Sequence, residues 1–214
     1  MKRRTVLGGT GGIALLSLAG CLGAVGMDEH EASPAGVDPT VREETGYEQT
    51  NIEELVVERT VDLPGTSEEV TVRNYLTEHK KGIDLPAVGT VEAATFIILT
   101  SPQISIVGRE FNPISEMDST ELVELIEADF DEINDVEHVS DGVVTILEQE
   151  TTESLFEAEA QINGVPVDVN IHITESVQTT NDHLVTIGVY PTQLESLEAD
   201  NIAALMAGVI EDIE

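Results

Sequence analysis

Eight consecutive residues, Val167-Asp168-Val169-Asn170-Ile171-His172-Ile173-Thr174, alternate strictly between apolar and polar. Side chains that alternate at period two belong to a strand with one apolar and one polar face, because a helix would scatter the same residues around its axis. Asp168, Asn170, His172 and Thr174 share one face. Val167, Val169, Ile171 and Ile173 share the other. The pattern predicts a half-buried strand of an antiparallel sheet, apolar side on the core and polar side in water.

Other runs supply the partners. Gly142 to Gln149, Leu155 to Ile162 and His183 to Tyr190 read as strands, separated by the turn signals Asn163-Gly164 and Thr180-Asn181-Asp182. Upstream, Val56 to Val61 and Val70 to Leu76 flank a Pro-Gly turn and predict a hairpin. Lys80-Lys81-Gly82 is read as a break, followed by an irregular connection through Pro86 and Gly89. Ala93 to Thr100, AATFIILT, is nearly continuous in apolar residues and is expected at the centre of the sheet. Pro102 ends it, before a short strand over Ile104 to Val107.

Two stretches carry helical spacing. Asp118 or Ser119 can cap the first, with Glu121 and Glu124 near its positive end and Leu122, Leu125, Ile126 and Phe130 on one face. Leu194 to Ile213 places Leu197, Ile202, Leu205, Met206, Val209 and Ile213 on another stripe. The expected fold is α+β, a largely antiparallel sheet with two packed helices, formed by a single domain over residues 51–214.

The N-terminus carries an address. Lys2, Arg3 and Arg4 precede a short, glycine-interrupted apolar run that ends at Leu18-Ala19-Gly20-Cys21. A spanning helix needs about 20 predominantly apolar residues, and Gly8 to Gly12 break this run too early. The paired arginines resemble a twin-arginine export signal, and Leu18 to Cys21 is similar to a lipobox, whose cysteine is lipid-modified after cleavage. Residues 1–20 are expected to be the signal and 21–50, rich in Gly, Pro and acids, a lipid-anchored flexible tether. Cys21 is the only cysteine, so no disulfide forms within the chain. Stable attachment implies two acyl chains or an equivalent lipid. The expected location is the outer face of the cell membrane.

Charge narrows the partners. Nine basic against 42 acidic residues give 9 − 42 = −33, and loss of the three leader cations leaves 6 − 42 = −36. Nucleic acid is excluded, since phosphate binding relies on Lys and Arg patches. Self-repulsion of this size destabilises a compact chain at low salt. At about 1 M salt the Debye length falls to roughly 3 Å and screens it. Abundant carboxylates, few lysines and no tryptophan resemble proteins of extremely halophilic archaea.

Candidate chemistry is sparse. His172, with Asp168 and Asn170 on its face, could line a cleft, bind a cation or act as a base. The alternation favours the solvent side of a sheet. His183 beside Asp182 could approach His172 if their strands pair, giving a minimal metal set, yet no metal-ligand spacing is present. His79 and His138 have no partners at motif spacing and are expected at the surface, while His30, between Glu29 and Glu31, could touch a metal but reads as an exposed histidine of the tether. Asp129, Asp131, Asp135, Glu137 and Asp141 depart from a calcium-loop pattern and read as a salt-adapted helix end. Ser105, Ser140 and Ser154 lack a nucleophile elbow, and no phosphate loop follows a strand. No cofactor or metal site is predicted.

The order of helix, strand meander and C-terminal helix, after the strand pair around Pro102-Gln103-Ile104-Ser105-Ile106-Val107-Gly108, resembles the PsbP-like fold over Ala93 to Ile213. With its leader and lipobox, the whole chain resembles a family of uncharacterised haloarchaeal surface lipoproteins. That resemblance implies no activity. The expected role is a non-enzymatic binding or accessory module, anchored through Cys21 and facing an envelope protein partner. The alternatives are a metal-dependent hydrolase using Asp168, His172 and His183, and a small solute-binding lipoprotein.

Overall fold

The computed structural model describes residues 29–63, 66–85, 89–106, 109–110, 114, 117–122, 133–162, 164–211 and 213. Among them β1 (Glu29–Glu31), β3 (Glu48–Leu63), β4 (Thr66–Leu85), β5 (Gly89–Pro102), β8 (Ile133–Ile146), β9 (Gln149–Ile162), β10 (Val165–Thr174), β11 (Val177–Gln178) and β12 (Asp182–Pro191) form one mixed sheet. Its main path runs β1-β4-β5-β12-β10-β9-β8, with β3 on β4 and β11 on β12. Only β1 and β4 pair in parallel within it. Two small ribbons flank it: β2 (Gly36–Val37) with β13 (Val209–Ile210), and β6 (Ser105–Ile106) with β7 (Arg109–Glu110).

The expected α+β sandwich with two packed helices, and the PsbP-like architecture with it, is corrected by this sheet. The protein is mostly β. Three stretches account for the difference. Lys80-Lys81-Gly82 does not interrupt the chain, because β4 continues to Leu85 and absorbs the glycine as a register shift against β5. Residues read as the acidic end of a helix, Asp135, Glu137 and Asp141, lie on β8, while Asp129 and Asp131 fall outside the described residues. Further along that second stretch, the predicted strand over Gly142 to Gln149 is divided between β8 and β9 by a turn at Leu147 and Glu148, both at positive φ. That geometry suits the two-residue turns that join twisted antiparallel strands.

The third stretch is the expected tether. From Glu29 the chain is built into the domain: β1 joins β4, β2 joins β13, and α1 (Pro39–Thr45) follows. Asp38 caps α1 by accepting the Thr40 N–H at 2.7 Å, and Gly46 closes it in the left-handed region at φ 77°. Residues 21–28 lie outside the described residues, as do Arg3, Arg4 and Cys21.

Both faces of the sheet are covered. One carries Phe96, Ile98, Leu184 and Tyr190 beneath α1 and α2 (Glu195–Ala207), which contributes Ile202, Leu205 and Met206. Fully burying one such side chain is worth about 1.5–3 kcal/mol relative to exposure. Gly188 lets α2 approach β12, since a Cβ there would stand 2.7 Å from Ile202. Leu197 was expected on the same stripe but is exposed, and the helix ends at Ala207 rather than running to Ile213. The other face packs Ile97, Phe156, Val169, Ile171, Ile173, Val185 and Ile187 against Leu122. Leu122 follows a helix start at which Asp118 accepts the Thr120 and Glu121 N–H groups at 2.9 Å. Leu125, Ile126 and Phe130 lie outside the described residues. The Val56–Val70 hairpin and the central β5 stand where the sequence predicts them.

Candidate functional site

β10 and β12 lie side by side at the middle of the sheet, with Asn170 opposite Tyr190 and His172 opposite Gly188. The polar face of β10 is therefore not a solvent face. It runs under α2 and the 3₁₀ turn Thr192–Leu194, and Asn170 and Thr174 are buried. Asp168 remains exposed.

Burial obliges these polar groups to find partners. The Thr192 hydroxyl donates to Asn170 Oδ1 at 3.0 Å, and Asn170 Nδ2 donates to the Tyr190 oxygen at 3.3 Å. His172 contacts the Tyr190 hydroxyl through Nε2 at 2.8 Å and pairs with Glu153 Oε1 through Nδ1. In the tautomer that gives the Glu153 carboxylate the Nδ1–H, Nε2 accepts the Tyr190 proton. The donors then run in one direction from Thr192 to Glu153. Burial pushes the Tyr190 phenol up, as do the nearby carboxylates Glu195, Glu153 and Glu198, while Asn170 pulls it down; the hydroxyl stays protonated.

A second network adjoins it. Glu198 of α2 is completely buried and accepts from Lys81 Nζ at 2.7 Å, the Tyr47 hydroxyl at 3.0 Å and Asn201 Nδ2 at 3.1 Å. Every member of these two networks that the sheet or α2 covers is partnered, as buried structural polar groups are.

The candidate metal pair does not assemble. His183 lies five positions along β12 from the partner of His172 (188 − 183 = 5), about 17 Å at 3.4 Å per residue, and the odd spacing turns it to the other face. Its Nδ1 lies 3.3 Å from the Ser176 hydroxyl. Among the described residues no group of three or more His, Cys, Asp or Glu could hold a metal ion. Ser154, Asp141 and His138 do meet, but in the wrong order for a nucleophile. Ser154 Oγ and His138 Nε2 both bond to Asp141 Oδ1, at 2.7 and 2.8 Å, so the carboxylate separates the histidine from the hydroxyl. Those two bonds, the Ser154 one first, hold the Asp141 carboxyl below its ordinary range.

His138 is exposed as expected, but His79 is not. It sits in β4 opposite Phe96, whose carbonyl accepts its Nδ1–H at 3.3 Å, and burial pushes its pKa down to about 4. His30 lies in β1 rather than in a tether.

The site that sequence reasoning missed stands at the other end of β12. A cavity of about 240 Å³ opens between the N-terminal strap, which contributes Ser33 and Ala35, Thr100 of β5, Asn181 and Asp182 at the start of β12, and Glu211 near the C-terminus. Its walls are fixed by the chain. Gln103 N–H donates to the Asn181 carbonyl at 2.8 Å, and the Thr179 hydroxyl accepts the Asp182 N–H at 2.9 Å. The strap is held by Ala32 N–H on the Arg73 carbonyl and by the β2–β13 pairing, which ties it to the tail bearing Glu211.

Asp182 is 5% exposed. Its Oδ2 accepts the Ser33 N–H at 3.0 Å, while its buried Oδ1 has no partner among the described residues. Burial pushes this carboxyl up, and the charge of Glu211 adds to the effect against the opposing pull of the Ser33 N–H and His183. An aspartate among 42 acidic residues, at a turn, gives no sequence sign that it is buried. The only usable clue was its place at the mouth of the apolar run from Leu184.

A search of curated proteins found no match. A family model, described as a domain of unknown function (DUF6517), matches residues 34–210, from the strap to β13 and therefore nearly all of the described residues. The chain belongs to that family, DUF6517, and the matched segment holds both buried networks and most of the cavity wall.

Proposed function

We propose that the protein is a lipid-anchored module on the outer face of the cell membrane, of the kind carried by haloarchaeal surfaces, and that its domain binds a small polar solute. The cavity carries the binding half of this reading: it is polar, walled by elements distant in sequence, and lined by Asp182, whose buried Oδ1 has no partner among the described residues. Such an oxygen is costly unless something meets it.

The leader supports the anchoring half. The basic Lys2-Arg3-Arg4 start and the Leu18 to Cys21 lipobox suit twin-arginine export and lipid attachment at Cys21. The first described strand starts at Glu29, eight residues after Cys21 in sequence (29 − 21 = 8). The strap that walls the cavity is thus the segment nearest the lipid. Forty-two acidic residues suit a surface bathed in concentrated salt. A non-enzymatic role fits a cavity whose polar groups, among the described residues, include no histidine or cysteine to activate a substrate. Binding in turn leaves room for an envelope protein that receives the solute.

Cys21→Ser, expressed in the producing cell, should move the protein from the membrane fraction to the medium or leave it unprocessed. Lipid-dependent membrane attachment that survives the substitution overturns the anchor.

A further inference from the structure

Resting on the solute-binding reading, the chemistry of the cavity narrows the class of solute. We propose that the ligand is a small primary ammonium ion, its N–H groups donating to Asp182 Oδ1 and to the hydroxyl and carboxylate oxygens around it. Among the described residues the lining holds two carboxylates and no basic side chain, so an anion would meet charge repulsion there. Asp182 Oδ2 is already taken by the Ser33 N–H, which leaves Oδ1 as the acceptor. The Thr100 hydroxyl donates to the Tyr75 carbonyl at 3.4 Å and so keeps its lone pairs for a donor.

Other classes fit less well. A calcium ion takes six to eight oxygens and structural transition-metal sites take several His, Cys or carboxylate ligands; no set of three such residues is present among the described ones. A quaternary ammonium has no N–H for Oδ1, and the lining has no aromatic ring among the described residues to cradle it. A neutral polyol could donate, but would leave the carboxylate charge uncompensated, and charge-assisted bonds are roughly twice as strong as neutral ones. At about 240 Å³ the cavity falls below the usual range for drug-sized ligands, which calls for a solute of few heavy atoms. Ala35 offers the apolar contact a short alkyl group needs. The elevated Asp182 carboxyl agrees with a charge that the protein alone compensates poorly.

The test uses the full chain purified in detergent and isotope-labelled for amide NMR. Methylammonium chloride, tetramethylammonium chloride and glycerol are titrated separately, with NaCl adjusted to hold ionic strength constant. Methylammonium should give saturable shifts at the Ser33, Asn181 and Asp182 amides, tetramethylammonium should not, and Asp182→Asn should weaken methylammonium binding at least tenfold. Equal saturable binding of tetramethylammonium, measured on the unaltered protein, overturns the proposal; so does unchanged methylammonium affinity in a folded Asp182→Asn variant. Saturable shifts with glycerol and none with methylammonium overturn the ammonium assignment while supporting a solute site. If none of the three probes saturates these amides, the ammonium assignment and the solute-binding reading both fall.

Discussion

The two ends of β12 bury polar groups in opposite ways. At its C-terminal end Tyr190 is enclosed by Asn170 and His172, with Glu198 nearby taking bonds from Lys81, Tyr47 and Asn201. At its N-terminal end Asp182 keeps one carboxylate oxygen buried beside a cavity without a partner among the described residues. Both regions are rich in the residue types that enzymes use. The satisfied cluster is complete by itself and stabilises the packing of α2 on the sheet. The unsatisfied group asks for something from outside. Residue type therefore points to the wrong end of the strand, and the state of the hydrogen bonds points to the right one.

That contrast predicts opposite signs for mutation. The largest effect should come from Glu198→Ala. It strips a buried counterion from Lys81, and removing one member of a buried pair typically costs 3–5 kcal/mol. Lys81 keeps some exposure and can turn its ammonium toward water, so a loss of about 3 kcal/mol is expected in urea unfolding at fixed molar salt. Because the pair is buried, raising salt should restore little of it, whereas the acidic surface responds strongly. A loss below about 0.5 kcal/mol, the range of an ordinary surface change, would show that the network is not structural.

Tyr190→Phe is the next in size. It preserves the ring beside His172 but leaves His172 Nε2 and Asn170 Nδ2 without the shared hydroxyl. An unsatisfied buried group costs about 1–3 kcal/mol, and thermal unfolding should report a loss in that range. A neutral outcome would mean that water reaches this end of β12 as well, and the contrast between the two ends would weaken.

The sequence exposed the elements whose periodicity is carried by both faces or by a helical stripe. AATFIILT is readable as a central strand because both of its sides are buried, and Ile202, Leu205 and Met206 are readable because they share a helix face. β8 is opaque for the converse reason. It is an edge strand, exposed along most of its length, so nothing forces its acidic residues to alternate. The strap is opaque too, since strands of two and three residues take their stability from partners far away: β1 on β4, and β2 on β13. The same distance hides the site. Ser33 and Asp182 are 149 positions apart, Lys81 and Glu198 are 117 apart, and neither pair leaves a local spacing. The alternation in β10 did locate a true polar row, but not what covers it. A polar face looks the same whether water or a helix lies above.

The smallest predicted effect is the one that separates the two regions most sharply, because its sign is reversed. Asp182→Asn keeps an oxygen for the Ser33 N–H, removes a poorly compensated charge and ends its repulsion with Glu211. In the absence of added ligand the variant should be more stable at neutral pH by about 1 kcal/mol, as when a strained binding group is neutralised. The pH dependence follows from linkage. The carboxyl titrates above its ordinary 3.8 in the folded protein, so the folded state binds the proton more tightly. The wild-type penalty is present above the folded pKa and disappears as pH falls through it toward 3.8. The difference between variant and wild type, followed by urea unfolding from pH 7 to pH 3.5, should therefore shrink toward zero on acidification. A variant less stable than wild type at pH 7 would place Asp182 with Glu198, among the carboxylates whose partners are already inside the protein.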